Sequence, residues 1–103
     1  MKIYDVALNT LLGKKKGELY AEFDNGKISG FLSLLGHTEP IAGRTDENGE
    51  TVFCGKFITL LNTIDFTAIG EIQGNNLQFI IKTDRESFRL TGTLKCQTEG
   101  ENA

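Results

Sequence analysis

Apolar and polar residues alternate along this chain in short runs, and turn signals break the runs about once every dozen residues. Tyr4, Val6 and Leu8 alternate with Asp5 and Ala7, and Leu77, Phe79 and Ile81 alternate with Gln78, Ile80 and Lys82. A period of two marks a strand with one buried face, because successive side chains point to opposite sides of a pleated backbone. No segment holds apolar residues at helical spacing for two turns without the alternation explaining it better. The pattern predicts eight strands, at residues 2–9, 17–24, 27–33, 38–46, 50–59, 63–73, 76–83 and 87–96. Asp24-Asn25-Gly26 and Glu47-Asn48-Gly49 read as tight hairpins, since Asn and Gly tolerate positive φ, and Gln73-Gly74-Asn75-Asn76 reads as a third.

The inward face takes six of the seven phenylalanines, all but Phe31, along with Leu19, Ile28, Leu32, Ile41, Leu90 and their neighbours in parity. One buried face on each of eight hairpin-linked strands suits an all-β, eight-stranded antiparallel up-and-down barrel. Closure also removes exposed sheet edges. A two-sheet sandwich is the alternative. Gly30, Gly43, Gly55, Gly70 and Gly92 fall on the inward face, where a missing side chain lets strands coil sharply. Gly70 is expected opposite Phe79, and Ala21 opposite Gly30. A shift of 49 residues lays Thr59-Leu60-Leu61 on Thr10-Leu11-Leu12, Gly92 on Gly43 and Phe53 on Tyr4, so the halves read as a duplicated four-strand meander. The barrel occupies residues 1–97, and 98–103 form a polar tail.

Composition narrows the function more by exclusion than by assignment. A chain of 103 residues, 39% hydrophobic and 24% charged, makes one globular domain, and no apolar run is long enough to span a bilayer. Net charge is −3, and Lys14-Lys15-Lys16 is the only basic run, which argues against nucleic-acid binding and reads as a solvated loop tip. Residues 1–6 enter strand-like sequence without an apolar leader, and the two cysteines form no CxxC motif, so a reduced, cytoplasmic setting is expected. Cys54 is predicted outward and Cys96 inward on non-neighbouring strands, with no bridge between them. His37 is the one histidine, and no metal-ligand cluster or nucleophile–base pair is legible, so no catalytic residue, metal or cofactor is assigned and no enzyme is expected.

Two regions stand out. In a meander, alternate loops share an end. One end gathers the Asp24, Glu47 and Gln73 turns, which are short, polar and mostly acidic. The other gathers Leu11-Leu12-Gly13, Leu34-Leu35-Gly36 and Leu60-Leu61-Asn62, with Lys14, His37 and Arg85 among them. The leucines read either as a plug folded inward over the core or as an apolar mouth ringed with positive charge. The mouth would suit a small apolar or amphipathic ligand, or a partner protein. The second region is an outward row of Cys54, Ile69 and Ile80, with Ile58 placed nearby, a candidate surface for self-association. Monomer and homodimer both stay open.

Thr-Leu-Leu-Gly, Asp-Asn-Gly-Lys-Ile-Ser-Gly and Leu-Thr-Gly-Thr-Leu, set in an eight-strand meander, resemble small bacterial lipocalin-like (calycin-type) barrels of uncharacterised function. The likeness covers residues 1–96 and implies a fold, with no catalytic residues to carry over. The Gly-x-Trp lipocalin signature is missing, since the chain has no tryptophan. Three functions follow in order: a non-catalytic barrel binding a small ligand at the leucine end, an interaction or structural module that self-associates, and last an enzyme.

Overall fold

The computed structural model describes residues 1–97; the expected tail at 98–103 lies outside the described residues. Eight antiparallel strands follow one another around a closed barrel: β1 (Lys2–Thr10), β2 (Gly13–Asp24), β3 (Lys27–Leu34), β4 (His37–Thr45), β5 (Glu50–Ile58), β6 (Thr63–Gln73), β7 (Asn76–Lys82) and β8 (Ser87–Gln97). Each strand pairs with the next and β8 closes on β1, so the sandwich alternative is excluded. Closure gives every strand a neighbour on both sides, with the shortest ladder at β4–β5, from Ala42↔Cys54 to Thr45↔Thr51, which is why a chain with one buried face per strand can stop at a single layer.

The inward set packs as the alternation predicts. Tyr4, Leu19, Ala21, Phe53, Ala68, Ile81 and Leu90 are fully buried. Gly70 stands opposite Phe79, and Ala21 opposite Gly30. Four rings form a chain down the core. Phe57 stacks on Phe66 at 4.5 Å, Phe66 meets Phe53 edge-on at 6.2 Å, and Phe53 meets Phe79 at 5.0 Å. Such contacts add about 0.5–1.5 kcal/mol per pair to simple burial. The middle of the barrel is therefore filled by side chains.

Glycines set how tightly the sheet can turn. A Cβ placed on Gly43 would lie 1.9 Å from the Val52 carbonyl oxygen, and one on Gly70 would lie 1.9 Å from that of Gln78. Backbones at these corners approach more closely than any side chain allows.

The strand pairings repeat at the predicted spacing. Lys2↔Ala21 and Thr51↔Gly70, Glu22↔Ser29 and Glu71↔Gln78, and Ile28↔Gly43 and Leu77↔Gly92 are each related by the same 49-residue shift.

Several expectations need correction. The loop expected at 10–16 is a two-residue turn, Leu11-Leu12, and β2 begins at Gly13, whose φ is +108°. Lys14, Lys15 and Lys16 are therefore strand residues and do not form a loop tip. Leu34 ends β3 facing inward and is buried. It fills the space over Gly17, where a Cβ would lie 2.7 Å from its Cδ2. Phe23 keeps its inward parity but sits at the barrel's lip, 42% exposed, with the Lys2 Nζ 5.7 Å from its ring centre. Cys96 is exposed, not inward. A register shift opposite Ile3 and Tyr4 leaves Lys95 unpaired, and one extra residue turns the rest of β8 over. Cys54, on β5, is outward and free as expected.

Tyr4 carries a cost inside this core. Its hydroxyl is buried with no hydrogen-bond partner among the described residues, and burial pushes the phenol above its ordinary pKa. The unfolded chain ionises this phenol first. The stability tied to the neutral form is thus fully present below about pH 10 and is lost as pH rises through the raised value. Tyr4→Phe is expected to gain about 1 kcal/mol at neutral pH by removing an unsatisfied group. It should also flatten the alkaline loss. Urea melts at neutral and alkaline pH check both, and a destabilised variant would show that the hydroxyl is satisfied in solution.

Candidate functional site: an apolar mouth between leucine turns

Four connections close the leucine end, and three are built on the same plan. Thr10 Oγ1 donates to the Gly13 carbonyl oxygen at 2.8 Å and accepts from the Leu12 amide at 3.2 Å. Thr59 Oγ1 donates to the Asn62 carbonyl and accepts from the Leu61 and Asn62 amides. Thr83 makes the same set with Glu86 and Arg85. A threonine hydroxyl that satisfies both ends of a short turn holds the intervening side chains outward. Leu11, Leu12, Leu60 and Leu61 are accordingly 98%, 87%, 104% and 90% exposed. These four leucines are not a plug.

The fourth connection, Leu34-Leu35-Gly36-His37, is a two-residue turn with φ of +58° at Leu35 and +81° at Gly36. The same geometry occurs at Asn25-Gly26, with φ of +52° and +78°. Asparagine tolerates that conformation, whereas a bulky L residue is strained by it. Leucine at this position is locally the wrong turn residue.

Between the turns the barrel is open. A cavity of about 380 Å³ is walled by Leu8, Leu11, Leu12, Leu35, Phe57, Ile64 and Phe88, with Thr10, Thr59, Thr83, Lys15 and Glu86 around it. Phe57 is 7% exposed and, stacked on Phe66, forms part of the floor. Lys15 stands opposite the inward Leu8 and is only half-buried, so its stem lies in the wall while its ammonium can reach water. Two larger hollows, about 670 and 600 Å³, lie on the outer wall. The first is bordered mainly by outward polar residues such as Asp5, Lys16, Gln78 and Thr91, and the second by Lys56, Asp65, Lys82 and Asp84. An apolar concavity of 300–1,000 Å³ with a few polar groups is the ordinary form of a small-ligand site, and the mouth alone of the three has it.

The structure gathers some of the residues expected at this end and separates others. Leu11, Leu12 and Leu35 line the mouth. Leu34 belongs to the core, as described above. Leu60 and Leu61 project from the same end but do not line it. Lys14 points outward opposite Asn9, His37 is exposed at the start of β4, and Arg85 sits on its loop, so none of the three reaches the cavity. The positively charged lining residue is Lys15, and Glu86 lines the same cavity. The walls Leu8, Phe57, Ile64 and Phe88 share the inward parity of the core, and their place in a mouth depends on where the barrel stops.

On the outer surface, the predicted row is displaced by two residues. Ile69 pairs with Ile80 as expected, but its partner on β5 is Val52. Cys54 pairs with Thr67, its Sγ 3.8 Å from the hydroxyl. Ile58 pairs with Thr63, six residues along β5 from Val52, which is about 20 Å away at 3.3 Å per strand residue. The row is Val52, Ile69 and Ile80, and Arg89 follows on β8.

A titratable cluster lies at mid-barrel on the outer wall. The Glu18 carboxylate accepts from Tyr20 and from Lys95, each at 2.5 Å. The Lys95 hydrogen bond, with help from Tyr20, holds the Glu18 carboxyl below its usual range, and Glu18 in turn raises both partners. The groups satisfy one another at the surface and border no apolar cavity. Among the described residues no group of three or more His, Cys, Asp or Glu side chains could hold a metal. No helix among them is long and apolar enough to cross a membrane.

No family model matches the chain, and no curated protein matches it. Solved structures do. The chain is similar to a redesigned β-barrel, mFAP1, bound to DFHBI, at 15% identity over 91% of this chain and 92% of that one, with a TM-score of 0.61. It is also similar to a redesigned β-barrel, b11L5F_LGL, at 14% identity over 93% and 90% of the two chains, again with a TM-score of 0.61. The shared property is the fold. At such identity no residue of either barrel transfers to this one.

Proposed function

We propose that this protein is a non-catalytic, lipocalin-like barrel that binds one small apolar or amphipathic ligand in the mouth at its leucine end. The observation that carries the reading is an open, apolar cavity on a barrel that is otherwise filled. The strained Leu35 supports it, because the chain sets a leucine at the cavity's edge where asparagine would suit the turn. The likeness to a barrel bound to DFHBI is consistent with this use of the fold. The matching registers of the two halves support reading the barrel as one four-strand unit used twice.

Saturable uptake of anilinonaphthalene sulfonate by the folded protein tests the reading. Ile64 is half-buried in the cavity wall opposite Phe57. Ile64→Trp is expected to fill the mouth and abolish uptake while leaving the thermal midpoint nearly unchanged. No saturable uptake by the native protein, or unaltered uptake by Ile64→Trp, overturns it.

Leu35→Asn separates fold from function. Relief of the left-handed leucine is expected to add about 1 kcal/mol of stability. That corresponds to about 5 °C in thermal midpoint for a domain of this size. Probe affinity should fall several-fold as one wall is lost. An unchanged midpoint would remove the strain argument, and unchanged affinity would remove Leu35 from the site.

A further inference from the structure

We infer that the leucine end docks on an anionic lipid surface, its two leucine turns entering the interface and its lysines meeting the headgroups. The inference rests on the mouth as the binding site and names where its ligand comes from: an acyl chain drawn from that surface. The Leu11-Leu12 turn joins β1 to β2 and the Leu60-Leu61 turn joins β5 to β6, so they stand on opposite sides of an eight-stranded ring. A flat surface touching both covers the mouth between them. All four leucines are almost wholly exposed, and threonine bonds at the base of each turn hold them outward. Apolar side chains on narrow, convex tips suit a soft, unshaped medium.

Charge selects the occupant. Lys14 and Lys16 follow directly on the first leucine turn and point outward, opposite Asn9 and Ala7. At the same end Asp84 and Glu86 flank Arg85, so the three lysines of β2 supply the positive excess, whereas the far end carries the acidic turns around Asp24 and Asp46 and the carboxylates of Glu47, Glu50 and Glu71. A negative surface attracts the leucine end and repels the other, so it orients a chain whose net charge is itself −3. Two copies meeting leucine end to leucine end would instead press lysines against lysines.

Co-sedimentation with vesicles tests this on the intact chain, using phosphatidylcholine alone and phosphatidylcholine mixed with phosphatidylserine. Binding to the mixed vesicles is expected to be at least about tenfold tighter and to weaken with added salt. The double substitution Leu60→Ser, Leu61→Ser removes leucines that do not line the mouth. It should lose about tenfold in vesicle affinity while keeping full uptake of anilinonaphthalene sulfonate. Ile64→Trp should do the reverse. Native protein that takes up the probe but ignores anionic vesicles overturns the docking and leaves the mouth standing. Vesicle binding without probe uptake overturns the mouth, and with it the acyl-chain source, while the docking itself stands. Equal vesicle binding by the Leu60→Ser, Leu61→Ser protein overturns the role of the turns. A dimer in sedimentation velocity that this variant converts to monomer assigns the leucines to a second copy and overturns the lipid reading.

Discussion

Gly30→Ala is expected to cost the barrel about 4 kcal/mol, a large share of the roughly 5–15 kcal/mol a domain of this size holds. Two effects act at one residue. Gly30 has φ of +153°, an extended conformation that L residues rarely adopt. A Cβ there would also lie 1.8 Å from the Tyr20 carbonyl oxygen and 2.8 Å from its carbon. Both atoms are backbone in the paired strand β2, so relief means moving one strand off the other and losing the ladder between them. Gly43→Ala and Gly70→Ala meet the same kind of obstacle at 1.9 Å without the positive φ, and should cost somewhat less. Gly55→Ala should be milder still, because its nearest obstacle, at 2.9 Å, is the tip of the Phe66 ring. Gly74→Ala is the control. It has φ of +60° and nothing within 4 Å of a Cβ, so it carries the conformational penalty alone, about 1 kcal/mol. Urea melts of the series give the order. A Gly30→Ala protein no less stable than Gly74→Ala would show that close strand approach is not what bends the sheet.

The same glycines show what the alternation could reveal. A glycine at an inward position announces a corner, and Gly70 beside Phe79 was legible because Gly74 and Asn75 fix that hairpin. The pairing of β5 with β6 was less legible. Its loop looks like a leucine-centred turn of unmarked length, and a fold centred on Leu61-Asn62 shifts the register by two residues, setting Cys54 where Val52 belongs. The missing signal was Thr59, the same threonine that opens the turn at Thr10 and the loop at Thr83. Three consecutive lysines hid the start of β2, because charge masks alternation and only the structure shows Lys15 turning inward at the lip. The bulge at Lys95 left no mark in composition, yet it reverses the facing of Cys96. The leucine pairs mark the end of the barrel at which the apolar cavity opens. They did not mark the cavity walls, since Phe57, Ile64 and Phe88 obey the same inward parity as residues deep in the core. Depth along a strand is a property of the closed barrel, and no local pattern encodes it.

Phe57→Ala should act on that depth directly. The ring is nearly buried, stacks on Phe66 at 4.5 Å and stands between the mouth and the filled core. Its loss is expected to destabilise the barrel by about 3 kcal/mol, the low end for a phenylalanine truncation, because the site already opens to water on one side. The mouth then deepens toward Phe66 and gains room for a longer apolar body. A ligand that occupies the new space binds only the folded chain and restores stability by mass action, about 2.7 kcal/mol at a hundredfold excess over its Kd. Decanoate, an acyl chain with an anionic head, is a suitable probe. Thermal melts with and without it should show a larger upward shift for Phe57→Ala than for the native protein. The shift should vanish when Ile64→Trp is added, because the indole occupies the entrance. A destabilised Phe57→Ala protein that decanoate does not rescue would mean that the space above Phe66 collapses or stays wet. In that case the mouth is a surface feature of a solid barrel and the functional weight shifts to the exposed leucine turns.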